Sequence, residues 1–437
     1  MSRNIPEDAS RAPEDPRMLC AVSRAMDPWS RELYRRRNFD EKLCPPVTLP
    51  PLPETLAEWE AERERVRHDF EKCIYGAVPP PPDRLETRLL AEKSDALGGL
   101  AIRREIRIVC AMNDGRKHDF DMLLYLPKQA APAPVFVGLN FNGNQANTPD
   151  PDVRLTRGPT LTPGFWWRQR ETPDTLRGEK LDSWNHVEAV KRGYAVATAC
   201  YGEIFPDNPD GFRSSIYRLF HEAGELEPFP PGPAYREFGA ISAWAWGLSR
   251  MLDALEREAG VDASRAAVLG HSRLGKTALW AGANDTRFKL VISNNSGCLG
   301  AAPSRRDFGE RLGHLAYIQS FWFSEKMVNY AWREERLPVD QHQLLALVAP
   351  RALYVASSSE DGGADPYGEF LSARTASKVW ELYGLKGLSG DRQPPLNESA
   401  GDMVRYHVKE GSHSITAADW SHYYDFADKL FGTKVRS

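Results

Sequence analysis

The sequence predicts an α/β protein: a doubly wound, mostly parallel sheet carrying an N-terminal extension. Short apolar runs alternate with helix-like stretches from about residue 100 to the end of the chain, the order that places helices on both faces of a parallel sheet. Several of these runs, such as Pro134-Val135-Phe136-Val137-Gly138-Leu139, read as buried strands. No internal repeat or linker divides the series, so the chain reads as an extension over 1–99 and one domain over 100–437.

Residues 1 to about 50 are rich in Pro and Arg with little periodicity, and read as an extended arm wrapping the surface. From Glu54 to Tyr75, Leu56, Trp59, Val66 and Phe70 recur at helical spacing among charges, which predicts an amphipathic helix packing on the core. The run Pro79 to Pro82 ends it. Strands are expected at Ala101-Ile102, Ile106–Val109 and Met122–Leu126, the last after the turn signal Asp114-Gly115. Further strands are expected at 134–139, Tyr194–Ala199, Ala266–Leu269, Leu290–Ser293, Leu353–Ala356 and Met403–Val408. Helices are expected over Trp184–Lys191, Phe238–Glu256 and Lys276–Ala283.

A net charge of −4 gives no general attraction to nucleic acid or to anionic membranes, and Arg35-Arg36-Arg37 sits among acidic neighbours as a solvated face. No apolar run approaches the ~18 residues of a membrane span. The polar start MSRNIPEDASRAPEDP lacks the apolar core of a secretory signal, so a cytoplasmic location is expected unless a leader was removed. The cysteines (Cys20, Cys44, Cys73, Cys110, Cys200, Cys298) form no C-x-x-C pair, which fits reduced, packed thiols and argues against zinc. His342 has no spaced partners and reads as structural. No metal and no cofactor is expected.

The stretch Leu269-Gly270-His271-Ser272-Arg273-Leu274-Gly275-Lys276-Thr277 matches two patterns. Gly270 to Thr277 satisfies G-x-x-x-x-G-K-[ST], a phosphate loop. Gly270-His271-Ser272 opens a nucleophile elbow, the strand-to-helix turn that exposes a reactive serine. Two features favour the elbow. The next strand ends in Ser293-Asn294-Asn295 with no Asp for magnesium. Downstream, an acid and a histidine follow in the order an α/β-hydrolase uses. Glu360, Asp361 and Asp365 lie after the strand at 353–356, and His413 lies after the strand at 403–408. Asp365 precedes a proline and reads as a cap or turn residue. The fold expected is therefore the three-layer α/β-hydrolase sandwich, although Leu274 stands where the usual elbow has its second glycine.

The blocks GHSRLGK, ISNNSGCLGAAPSRRDFGE, LPVDQHQLLALVAPRALYVASSSEDGGADPYGEFL and EGSHSITAADWSHYYDFADKL resemble the bacterial glucuronoyl esterases of carbohydrate esterase family 15. The likeness spans roughly residues 100 to 432. It implies cleavage of an ester between a glucuronic acid carboxylate and an alcohol. It also implies Ser272 as nucleophile, His413 as base and Asp361 as acid, with Glu360 an open alternative. Arg273 then helps stabilise the oxyanion and Lys276 contacts a sugar hydroxyl. Asn295 stands where fungal members carry their acid, and His271 and Ser414 where those members have disulfide cysteines. Gly363 replaces a tryptophan that lines the family's uronate pocket.

The expected partner is a small-molecule or oligosaccharide uronate ester. Trp166-Trp167, Trp322 and Trp332 are candidates to stack on sugar rings or to fill the core, and Arg305-Arg306 to bind a carboxylated sugar or form a surface pair. An acetyl esterase with the same triad, a phosphate-loop nucleotide-binding protein and a carbohydrate-binding pseudoenzyme are the alternatives.

Overall fold

A computed structural model describes residues 37–129, 131–162, 165–170, 176–227 and 236–433. Helix α1 (Leu56–Phe70) opens on Thr55, whose hydroxyl accepts from the Glu58 N–H while the Glu58 carboxylate accepts from the Thr55 N–H, a reciprocal capping box. Trp59, Val66 and Phe70 are buried as the spacing predicts, whereas Leu56 on the first turn stays exposed.

Strands β1 (Arg84–Ala96), β2 (Ala101–Ala111), β3 (Lys117–Pro127) and β4 (Ala133–Asn140) follow. A separate ribbon pairs β5 (Thr160–Thr162) with β6 (Phe165–Arg170). Trp166 and Trp167 fall on this ribbon, and their side chains lie outside the described part. Then come β7 (Ala195–Cys200), helix α2 (Ala240–Leu255), β8 (Val261–His271), helix α3 (Arg273–Asn284) and β9 (Phe288–Asn294). Strand β10 (Ala352–Ser358), helix α4 (Pro366–Leu382), β11 (Ser399–Gly401), β12 (Val404–Lys409) and helix α5 (Ala417–Phe431) complete the fold.

One sheet runs β1-β2-β3-β7-β4-β8-β9-β10-β12-β11. The parallel arrangement expected holds from β7 to β12; β1, β2 and β3 at one edge and β11 at the other join antiparallel. The short connections between β1, β2 and β3 make them a meander, which can only pair antiparallel. The stretch 1–99 thus contributes both α1 and the edge strand β1. The strands expected at 101–102 and 106–109 are one strand, continuous through Arg103 and Glu105. Both side chains are buried, and Arg103 Nη1 lies 2.6 Å from Asp150 Oδ2.

Every residue of β4, β7 and β10 is buried, and alternate side chains serve opposite layers. Val135, Val137 and Leu139 enter the core shared with α1 to α4, while Phe136 enters the one shared with α5. The helix expected over Trp184–Lys191 is two short ones, Leu181–Trp184 and His186–Lys191, broken where Asn185 adopts a left-handed φ of 37°. The carboxyl ends of β4, β8, β9, β10 and β12 converge on one side of the sheet, where ligands of open α/β sheets bind.

Candidate active site

Strand β8 ends at His271 and α3 begins at Arg273, so Ser272 alone makes the turn. Its backbone sits at φ 59° and ψ −129°, a conformation that costs about 1–3 kcal/mol for a residue with a side chain. The surroundings enforce it. The Ser272 N–H donates to the Asn294 carbonyl at 2.9 Å, and the Ser272 carbonyl accepts from Gly275 N–H at 2.8 Å. A Cβ at Gly270 would lie 1.8 Å from the Leu274 carbonyl oxygen, and one at Gly275 would lie 3.0 Å from Ser296 Cβ. Glycine is needed at 275 because that residue, not 274, faces the loop after β9. Leu274 is buried in the larger core instead. The Gly270–Thr277 stretch forms no open loop: Lys276 and Thr277 are already helical, and Thr277 Oγ1 donates to the Arg273 carbonyl at 3.0 Å.

Strands β10 and β12 pair in parallel with Ser358 opposite Lys409, which places the loops carrying Asp361 and His413 side by side. Backbone bonds from Ser359 N–H to Lys409 O (2.8 Å) and Glu360 N–H to Gly411 O (2.9 Å) extend that register. The Lys409 amine donates to Ser358 Oγ, Ser412 O and Ser414 Oγ at 2.7, 3.3 and 3.1 Å, fixing the residues flanking His413. The result is a 2.5 Å hydrogen bond between His413 Nδ1 and Asp361 Oδ2. Burial alone would raise the Asp361 carboxyl, but the hydrogen bond and charge of His413 hold it below the usual carboxylate value. Glu360 is exposed.

His271 packs against His413 with ring centroids 4.5 Å apart and the planes tilted by 44°. Its Nδ1–H donates to Asn294 Oδ1 at 2.6 Å, because Asn294 Nδ2 is spent on Asp419 and the Tyr423 hydroxyl. Burial lowers the His271 pKa to about 3, so its ring is neutral beside the His413–Asp361 pair. Asn295 donates to Ser358 Oγ at 2.8 Å, and its Oδ1 is buried with no partner among the described residues.

Arg273 is buried between the rings of Trp322 and Phe141, its guanidinium carbon 4.7 and 5.3 Å from their centroids. Its Nη1 donates to Asp207 Oδ2 at 2.6 Å; Asp207 also accepts from Trp322 Nε1 (2.6 Å) and the Tyr201 hydroxyl (3.1 Å). The Arg273 Nε–H has no acceptor among the described residues. Lys276 donates from its amine to the Ser296 carbonyl. Burial lowers its pKa, opposed by the nearby Glu310 carboxylate.

These groups line one cavity of about 550 Å³, together with Lys180, Trp184, Glu310, Gln319 and Gly363. Trp322 lines this cavity and lays its ring against Arg273. Trp332 packs on His314 and Arg311. Arg305 and Arg306 are not available to a carboxylated sugar, since they pair with Asp340 (3.2 Å) and Asp365 (2.8 Å). Asp365 also caps α4 through the Gly368 N–H, and His342 Nε2 bonds the Pro50 carbonyl at 2.8 Å.

Sequence reasoning missed Asp207, whose only signal is a polar loop following a buried strand. It also missed Glu369. The Glu369 Oε1 accepts from the Ser296 and Gly297 N–H groups at 2.8 and 2.9 Å, and Oε2 lies 2.6 Å from Ser357 Oγ. Burial pushes its carboxyl up to about 8 against the pull of those donors. A folded-state pKa above the unfolded one stabilises at low pH and loses that contribution as pH rises through the folded value. The stability of wild type to thermal unfolding should therefore fall, relative to Glu369→Gln, by on the order of a few kcal/mol between about pH 5 and pH 9. Parallel pH profiles for the two proteins would refute this.

A family model for fungal glucuronyl esterase matches residues 233–384. The carbohydrate esterase MZ0003, from an unknown prokaryotic organism, is 39% identical over 411 residues, covering 90% of this chain and 91% of that protein. The solved glucuronoyl esterase of Solibacter usitatus superposes with a TM-score of 0.81 at 40% identity, over 90% of this chain and 100% of that one. A promiscuous family 15 carbohydrate esterase from a marine bacterial metagenome gives 0.79 at 36% identity, over 90% and 99%. With agreement along nine-tenths of its length, the chain belongs to the glucuronoyl esterases of carbohydrate esterase family 15.

Proposed function

We propose that the chain is a serine carboxylic-ester hydrolase acting on esters of uronic acids, with Ser272, His413 and Asp361 as its triad. The observation that carries this is the strained Ser272 in a cavity shared with the bonded His413–Asp361 pair and a buried arginine with an unspent N–H. The substrate class rests on the glucuronoyl esterases the chain resembles.

Ser272 Oγ attacks the ester carbonyl carbon and His413 Nε2 takes its proton. Asp361 holds the other ring N–H, fixing the tautomer and stabilising the imidazolium. The oxyanion is met by the Arg273 backbone N–H, which follows the nucleophile and opens α3. The unspent Arg273 Nε–H supplies a second donor and its guanidinium a positive charge. Collapse expels the alcohol, which takes the proton from His413. Water, activated by the same imidazole, then releases the uronic acid and restores Ser272. Lys276 donates to the sugar from inside the cavity.

Asp361→Asn presents an amide donor where the imidazole needs an acceptor, and kcat on methyl glucuronate should fall ~10²–10⁴-fold. Glu360→Gln, on the exposed neighbour, should change kcat less than about twofold. The reverse ranking would reassign the acid.

A second reading, deacetylation of sugars by the same triad, is favoured by the relative described as promiscuous. A panel of methyl and benzyl glucuronates against acetylated xylo-oligosaccharides separates the two. The uronate reading requires the higher kcat/KM on glucuronates, and a higher value on the acetyl esters would replace it.

The buried free thiols Cys73, Cys110, Cys200 and Cys298 favour a reducing compartment, and with it a cytoplasmic location and soluble ester substrates. Among the described residues no helix is long and apolar enough to cross a membrane.

A further inference from the structure

The cavity wall next to Asp361 is not built by the hydrolase core alone. Residues 37–41 of the N-terminal arm are seated between two core segments, 306–310 and 361–365. The Asn38 carbonyl accepts from the Gly309 N–H at 2.7 Å, and Asn38 Nδ2 donates to the Asp307 carbonyl at 2.8 Å. Phe39 meets Phe308 edge-on with centroids 6.2 Å apart. The same ring covers Gly362, where a Cβ would come within 2.9 Å of it. Glu41 pairs with Arg306, which is itself buried and bonded to Asp365. The two core segments are in turn joined by the Glu310 N–H, which donates to the Gly363 carbonyl at 3.0 Å.

This seat delivers Arg37 to the cavity. A Cβ at Gly363 would lie 3.0 Å from Arg37 Nη1 and 3.5 Å from Asp361 Oδ1, so the arm's guanidinium stands over the bare glycine, beside the triad carboxylate. Arg37 lines the same cavity as Ser272, Lys276 and His413, and its guanidinium carbon lies 4.9 Å from the Phe39 ring centroid. A guanidinium presents five N–H donors in a rigid fork.

We propose that Arg37 is a specificity-determining residue that donates to sugar hydroxyl oxygens of the bound ester, and that the arm is an integral wall of the active site. The proposal rests on the uronate-ester reading above for its substrate. Gly363 is the complement to Arg37: any side chain there would occupy the space the guanidinium takes.

The test compares wild type and Arg37→Ala on methyl glucuronate and on p-nitrophenyl acetate, an ester with no sugar. The ratio of kcat/KM for glucuronate to that for the acetate should fall about 10- to 100-fold, mainly through KM, as loss of a charge-assisted hydrogen bond predicts. A ratio within twofold of wild type overturns the proposal, whether both rates hold or both fall together. Calorimetry on Ser272→Ala and Ser272→Ala/Arg37→Ala gives a second readout without turnover. Methyl glucuronate should bind the double variant at least tenfold more weakly, and equal Kd values overturn the proposal. If wild type hydrolyses acetylated xylo-oligosaccharides but not glucuronates, the uronate reading fails by itself. The Arg37→Ala ratio is then read on the acetylated sugar, with the same two outcomes.

Discussion

Ser272→Ala should lower kcat/KM on methyl glucuronate by at least ~10⁴-fold, since the remaining groups bind and polarise the ester without a nucleophile. The variant should still bind substrate, because Arg273 and Lys276 are held by Asp207 and Ser296 rather than by the serine. Ser272→Gly separates chemistry from strain. At φ 59° and ψ −129° the serine stores backbone strain that glycine relieves by ~1–3 kcal/mol, less the ~0.5–1 kcal/mol of extra chain entropy glycine loses on folding. The glycine variant should therefore be inactive yet unfold at a higher temperature than wild type. A Tm below that of Ser272→Ala would mean that the elbow is not strained.

Arg273→Ala should damage stability and catalysis together. The Asp207 carboxylate is buried and, among the described residues, would keep the Trp322 and Tyr201 donors alone. Stranding one partner of such a pair costs ~3–5 kcal/mol. Catalysis should fall a further ~10²–10³-fold in kcat, the usual effect of removing one oxyanion donor. Arg273→Lys distinguishes the two roles. A lysine can keep the charge opposite Asp207 but cannot also present a second N–H from a fixed fork. It should recover most of the stability and little of the kcat, as read by denaturant titration and by turnover on methyl glucuronate. Full recovery of kcat would show that charge alone suffices.

What the sequence displayed and what it hid divide along physical lines. Central strands such as Ala133–Asn140 and Ala352–Ser358 are buried from end to end and apolar until their carboxyl-terminal residues, so a single sequence reveals them. Edge strand β1 escaped notice because, within RLETRLLAEKSDA, only Ala96 is buried and pairing with β2 alone defines it. The elbow, Asp361 and His413 could be picked out because their order along the chain is fixed by where strands end, and the structure brings the last two into one hydrogen bond. Asp207 and Glu369 were not, because what gives each its role is a partner across the fold: Arg273 for one, the Ser296 and Gly297 amides for the other. Arg37 is the clearest case. In Arg35-Arg36-Arg37 it reads as a solvated face, and only the seat formed by Gly309, Asp307 and Gly362 turns it toward the cavity.

The most direct test of acyl transfer through Ser272 is to quench the enzyme with acid during turnover of methyl glucuronate and map its peptides by mass spectrometry. The peptide containing Ser272 should carry one glucuronoyl group in wild type, and Asp361→Asn should accumulate less of it in the same time. A wild-type enzyme that turns over the ester while Ser272 stays unmodified, or with the adduct on another residue, would contradict the mechanism.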